Sequence, residues 1–134
     1  MNQKINSYLR EMNFHISFEL DEEFNETIRT PYKEKYSYES FSEGEKARID
    51  LALLFTWREI ARIKNSASTN LLVLDEVFDG SLDSEARDSL LMILEHLKET
   101  NVFVISHLGD VLYDKFEKFI EVKKDNKFTK IISS

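Results

Sequence analysis

Two short apolar runs ending in polar residues, LLVLDE at 71–76 and NVFVISH at 101–107, flank a segment with helical periodicity. Strand, helix and strand in that order make a βαβ unit, which requires parallel strands and a right-handed crossover. Near-continuous apolar character predicts strands in the interior of a sheet covered on both faces. Their polar ends then emerge together at the carboxyl edge, where open α/β sheets bind ligands. Asp75, Glu76 and His107 meet there. Between the strands, Asp83 or Ser84 caps a helix, EARDSLLMILEHLKE, whose Leu90, Leu91, Ile93, Leu94 and Leu97 face the sheet.

The pattern before this unit is different. Residues 2–12 put Ile5, Tyr8, Leu9 and Met12 on one helical stripe, a short helix or the tail of a longer one. FHISFEL then alternates Phe14, Ile16, Phe18 and Leu20 against His15, Ser17 and Glu19, which predicts a strand. A return strand over 24–29 follows the acidic DEE turn, with a short third strand near 35–38. In FSEGEKARIDLALLFTWREIARIK, Ser42 and Glu45 have the spacing of a capping box, with Phe41 placed for a hydrophobic staple. Apolar positions from Ala47 to Ile63 cover so much of that helix that it is expected to be largely buried. NSASTN at 65–70 reads as a loop. After the βαβ unit come a short helix or turn within 108–116 and a terminal hairpin, KFIEVKK and KFTKIIS, joined at KDN.

Composition narrows the classes. The chain has 134 residues, 42% of them hydrophobic and 12% aromatic, enough for a real core in one domain. Without cysteine there is no disulfide, thiolate nucleophile or cysteine zinc site, which suits a reducing cytoplasm. No stretch approaches the ~20 apolar residues of a membrane span, so no membrane partner is expected. A formal charge of −7 makes the chain a poor non-specific DNA binder by itself. Its carboxyl-terminal lysines, Lys98, Lys115, Lys118, Lys123, Lys124, Lys127 and Lys130, are spread over several elements and read as solvated surface. His15 and His96 read as surface or interhelical polar residues.

Chemically, Asp75 can bind Mg²⁺ directly or through water, because a hard cation takes oxygen ligands and keeps its waters. Glu76 points differently and can accept a proton from an attacking water. His107 can donate to a phosphoryl oxygen gaining charge. A metal nuclease uses the same residue types, and an ordinary solvated strand end accounts for the carboxylates equally simply. The helix start at Ser42 tilts the balance toward nucleotide. Gly44 leaves backbone room at the first turn, where unpaired amides and the helix dipole favour an anion.

In combination, FSEGEKARIDLALLFTWR resembles the signature motif and following helix of ATP-binding cassette (ABC) ATPases. LLVLDEVFDGSLD resembles their Walker B strand and D-loop, and VFVISH the strand carrying the switch histidine. The spacing fits, with Ser42 leading Asp75 by 33 residues and Glu76 leading His107 by 31. The set is most similar to the chromosome-maintenance and double-strand-break-repair branch, including the ATPase subunits of T-even-like phage recombination endonucleases.

That resemblance implies an α/β fold: the carboxyl-terminal half of an ABC-type P-loop ATPase head, a parallel sheet with flanking helices and a terminal hairpin. Residues 1–12 would end a coiled coil or linking helix, and 13–134 would form the lobe. It implies ATP and Mg²⁺ as cofactors, with Asp75 organising the metal, Glu76 as catalytic base and His107 sensing the γ-phosphate. Ser42 and Gly44 would contact the γ-phosphate held by an opposite subunit, Glu45 would support that turn, and Asp83 would cross the dimer interface. Implied partners are the amino-terminal lobe of the same protein, a second copy of the head, a metal-dependent nuclease subunit and double-stranded DNA ends. Glu43 departs from the pattern, since the family usually has glycine there and a carboxylate repels a triphosphate unless it points away. The three glycines form no G-x-x-x-x-G-K-[ST] loop, so the chain is expected to be part of a larger protein and inactive by itself. A non-enzymatic interaction lobe and the nucleotide-binding domain of another ABC protein are the rival readings.

Overall fold

The computed structural model describes residues 1–64, 70–97, 99–126 and 128–133; the side chains of residues 33–35 and 133 are not described. Helix α1 (Asn2–Glu11) leads into an antiparallel meander of β1 (Ser17–Leu20), β2 (Glu26–Thr30) and β3 (Lys33–Tyr36). A 3₁₀ turn at Tyr38–Ser40 precedes the long helix α2 (Glu43–Lys64). Then come β4 (Leu71–Asp75), α3 (Ser84–Glu95), β5 (Asn101–Ile105), the single-turn α4 (Gly109–Leu112), and the hairpin β6 (Ile120–Asp125) and β7 (Phe128–Ser133). Of the loop expected at 65–70, residues 65–69 lie outside the described residues.

The first strand is shorter than its alternation suggests, because α1 ends in a hydrogen-bonded turn that uses up Asn13 and Phe14. Asn13 takes the left-handed conformation at φ 53. Its amide bonds Arg10 O at 3.0 Å, and the Phe14 amide bonds Leu9 O at 2.8 Å. This is a Schellman motif with asparagine in the usual glycine position. The free edge of β1 is then covered by side chains from α1. Asn6 bonds both the carbonyl and the amide of Phe18, at 2.7 and 2.9 Å, and Asn2 does the same to Leu20, at 3.1 and 3.1 Å. One helical turn separates the two asparagines and two residues separate their targets, spans of about 6 Å in each element. An edge strand is thereby closed without another strand.

Ile5, Leu9, Met12, Phe18, Ile28, Ile49, Ala52 and Phe55 form a core here in which no member exceeds 1% exposure. The capping box at the start of α2 forms: Glu45 accepts from the Ser42 amide and hydroxyl at 2.8 Å each. The expected staple does not, because the fourth helical position is Lys46. Phe41 packs instead on Phe14 and Tyr36, with ring centroids 5.7 and 4.7 Å away. Nor is α2 buried throughout: Leu54, Trp57 and Ile63 are exposed.

Strands β4 and β5 pair in parallel, Leu71 opposite Asn101 through Asp75 opposite Ile105. Leu90, Ile93 and Leu94 of α3 are buried with Leu72 and Leu74 of the sheet, while Leu91 is half-buried. The expectation of cover on both faces fails within this chain. Leu71, Val73, Phe103 and Ile105, which alternate with the buried positions, are 49–56% exposed. The hairpin pairs Ile120 with Ser133 through Asp125 with Phe128, and its apolar residues Ile120, Val122, Phe128, Ile131 and Ile132 are exposed as well. No helix among the described residues is long and apolar enough to cross a membrane.

Candidate functional site

The parallel register brings the two polar strand ends together as expected. Asp75 closes β4 and is exposed. Directly after it Glu76 adopts φ 54, a conformation uncommon for a residue with a side chain, while its amide bonds Ile105 O at 2.8 Å. This abrupt turn lets the Glu76 carboxylate meet the His107 ring, Oε1 to Nε2 at 3.1 Å. Both side chains are largely solvent-exposed, at 63% and 85%. Glu76 and His107 therefore form a pair poised at the sheet edge.

Asp79, not anticipated from sequence, lies against the same edge. One of its oxygens accepts from the Ser106 hydroxyl and the other from the His107 amide at 2.9 Å. Ser106 Oγ in turn accepts from the Leu108 amide at 2.9 Å. Desolvation pushes the Asp79 carboxyl up, but bonds from Ser106 and the amides of His107 and Leu108 prevail and leave its pKa below the ordinary value. A third acid after DE in the DEVFD run was the visible signal; its partner was not, since it lies 28 residues away.

The residues at the start of α2 form a second cluster. Ser42 and Glu45 hold each other as described, and Gly44 explains why the turn sits where it does. A Cβ at position 44 would meet the Ser81 carbonyl oxygen at 2.8 Å, closer than atoms tolerate. Glycine thus permits α2 to touch the loop following β4. Four residues further on, Arg48 grips Asp83 through one terminal nitrogen, at 2.9 and 2.8 Å to the two carboxylate oxygens. Asp83, rather than Ser84, caps α3 by accepting from Ala86 N at 2.8 Å. Its pKa is held below the ordinary range, first by that amide and then by Arg48. Arg48 is buried and was missed because an arginine after GEKA reads as helix surface.

Glu43 is paired with Lys46, at 3.0 Å, and Lys46 also lies 5.8 Å from the Tyr38 ring centroid. The Glu43 carboxylate raises the Lys46 pKa. Desolvation, then the Asp50 carboxylate accepting from its hydroxyl, pushes Tyr38 up to about 12. His15 and His96 are exposed; they bond Asn13 and Met92 O.

For a metal, the described residues hold no group of three or more histidine, aspartate and glutamate side chains. Asp75 supplies one exposed carboxylate. That fits Mg²⁺, which is commonly held by one or two carboxylates together with nucleotide phosphates and water, and does not fit a cation that needs an all-protein cage.

A parallel strand pair with this acid and histidine edge, a helix capped by Ser42 and a terminal hairpin define the carboxyl-terminal half of an ABC-type ATPase head. The fold matches solved SMC heads. An SMC head domain from Thermotoga maritima aligns with a TM-score of 0.68 at 29% identity, over 99% of this chain and 46% of that one. A chain from a study of ATP-driven dimerization and DNA-stimulated activation of SMC ATPases gives 0.75 at 23% identity, over 99% and 82%.

In sequence, the chain is a homologue of the carboxyl-terminal part of phage exonuclease subunit 2. It is 50% identical over 131 residues to exonuclease subunit 2 of Enterobacteria phage T4. The identity is 45% over 128 residues for Escherichia phage RB69, and 33% over 106 for the probable exonuclease subunit 2 of Escherichia phage T5. These alignments cover 98%, 96% and 77% of this chain but only 23%, 23% and 17% of the relatives. The chain thus spans about a quarter of the length of the first two. No protein-family model matches it.

Proposed function

We propose that this chain is the signature- and Walker B-bearing half of an ATPase head, and that the completed head hydrolyses ATP within a nuclease complex that processes double-stranded DNA ends for repair and recombination. The observation that carries the reading is the Glu76–His107 pair, 3.1 Å apart at the carboxyl edge of two parallel strands. Glu76 takes the proton of the attacking water. His107 donates a hydrogen bond to the γ-phosphate oxygen that gains charge. Mg²⁺, when bound, neutralises phosphate charge, and Asp75 is the residue that would hold it. The described half lacks a phosphate loop, so the amino-terminal lobe of the same protein supplies it.

The signature cluster acts on a second head. Ser42 and Gly44 meet the γ-phosphate bound there, with Glu45 fixing the serine. Asp83, on the loop that Gly44 touches, faces the partner copy across the interface. The tie between Glu43 and Lys46 supports this assignment, because a paired carboxylate repels a phosphate less than a free one. Similarity to exonuclease subunit 2 supports a metal-dependent nuclease as the companion subunit.

The test is Glu76→Gln in the head completed by its amino-terminal lobe. Nucleotide binding is retained and single-turnover hydrolysis falls by about 10² to 10⁴, as for loss of a general base. Hydrolysis at the unmodified rate removes Glu76 from the chemistry.

A further inference from the structure

We infer that Asp79 is a positioning residue for His107: its carboxylate fixes the backbone after β5 and so aims the imidazole at Glu76. The inference deepens the reading of His107 given above and rests on it for its catalytic part. The His107 ring is 85% exposed, so packing does little to choose its rotamer. Apart from its bond to Glu76, what sets its position comes through its backbone, and two anchors reach that backbone. The Glu76 amide holds Ile105 O at 2.8 Å. Asp79 holds the next two residues, taking the Ser106 hydroxyl on one oxygen and the His107 amide on the other at 2.9 Å. The Leu108 amide donates to Ser106 Oγ at 2.9 Å and closes the network.

The carboxylate accepts on both oxygens and offers no donor of its own. An asparagine could still take the His107 amide on Oδ1 and donate to a turned Ser106 hydroxyl, so alanine, which removes both bonds, is the substitution that breaks the anchor. Asp79 reaches neither the Glu76 carboxylate nor the His107 ring through any hydrogen bond that the structure shows. Its effect is therefore on geometry, and it lies on the same loop as Ser81 and Asp83, which α2 contacts.

The experiment has two arms, using Asp79→Ala and, as a milder second variant should the first fail to fold, Ser106→Ala. In the chain itself, amide hydrogen exchange and ¹⁵N-histidine spectra read the anchor directly. Asp79→Ala is expected to speed exchange at the His107 amide by about tenfold or more, as for a lost charge-assisted bond, and to move the His107 ring resonances while leaving those of His15 and His96 in place. An unchanged His107 amide and ring overturn the inference. In the head completed by its amino-terminal lobe, Asp79→Ala lowers kcat with nucleotide affinity retained. Added to His107→Ala it causes no further loss, whereas additive losses would show that Asp79 acts elsewhere. Turnover unaffected by His107→Ala would defeat the reading of His107 itself, and the spectra would still decide whether Asp79 sets its position.

Discussion

The two halves of this chain are finished to different degrees. From α1 through α2 the core closes on itself: Ile5, Leu9, Phe18, Ile28 and Phe55 are at most 1% exposed, and the edge of β1 is covered by Asn2 and Asn6. From β4 onward one sheet face packs on α3, while Leu71, Val73, Phe103 and Ile105 on the other are about half exposed and the hairpin leaves Ile120, Ile131 and Ile132 exposed. Burial alternates along β4 and β5 although the sequence does not. A strand apolar at every position yet buried at alternate ones is built for a second layer. The residues proposed as catalytic belong to this open half, which explains why Glu76 and His107 have their geometry but not a dry environment.

The largest expected effect tests the contrast itself. Phe55→Ala, at a site 1% exposed and packed on Tyr8 with ring centroids 5.4 Å apart, should cost about 3–5 kcal/mol in urea denaturation. Phe103→Ser, a loss of similar apolar volume on the open face, should change the chain's stability by no more than about 0.5 kcal/mol. Equal costs would erase the distinction between the halves.

A smaller effect probes the join between them. Asp83→Ala removes the α3 cap and the partner of Arg48, and should lower stability by about 1–2 kcal/mol. The contribution also has a pH signature. Because the folded pKa of Asp83 lies below its ordinary value of 3.8, its stabilisation is complete above that value and is lost as pH falls through the depressed one. The variant's acid unfolding limb should therefore be shallower below about pH 4. An unchanged limb would mean that Arg48 and Ala86 do not hold the carboxylate.

What was legible in the sequence was whatever local pattern decides. The βαβ unit, the Ser42–Glu45 box and a cap at Asp83 or Ser84 follow from periodicity and short-range spacing, and the meeting of Glu76 with His107 follows from the parallel pairing that unit implies; the structure has them, with Asp83 as the cap. Contacts between distant residues were hidden. Nothing local says that Asp79 serves residues 106–107, that Arg48 reaches Asp83, or that Gly44 is needed for the Ser81 carbonyl rather than only for space near an anion. The shortened β1 and the diverted Phe41 have a common origin: the α1 turn at Asn13 brings Phe14 to Phe41. The open face of β4 was misjudged because apolar continuity reports the layers a strand is suited to, and the chain provides one of them.

The most direct measurement of the central claim is Mg²⁺-dependent ATP turnover by this chain alone and after completion by the amino-terminal lobe. The account predicts no turnover above buffer for residues 1–134, because nothing in them wraps the β- and γ-phosphates, and clear turnover once the lobe is added. Robust hydrolysis by the chain alone, abolished by Glu76→Ala, would contradict it.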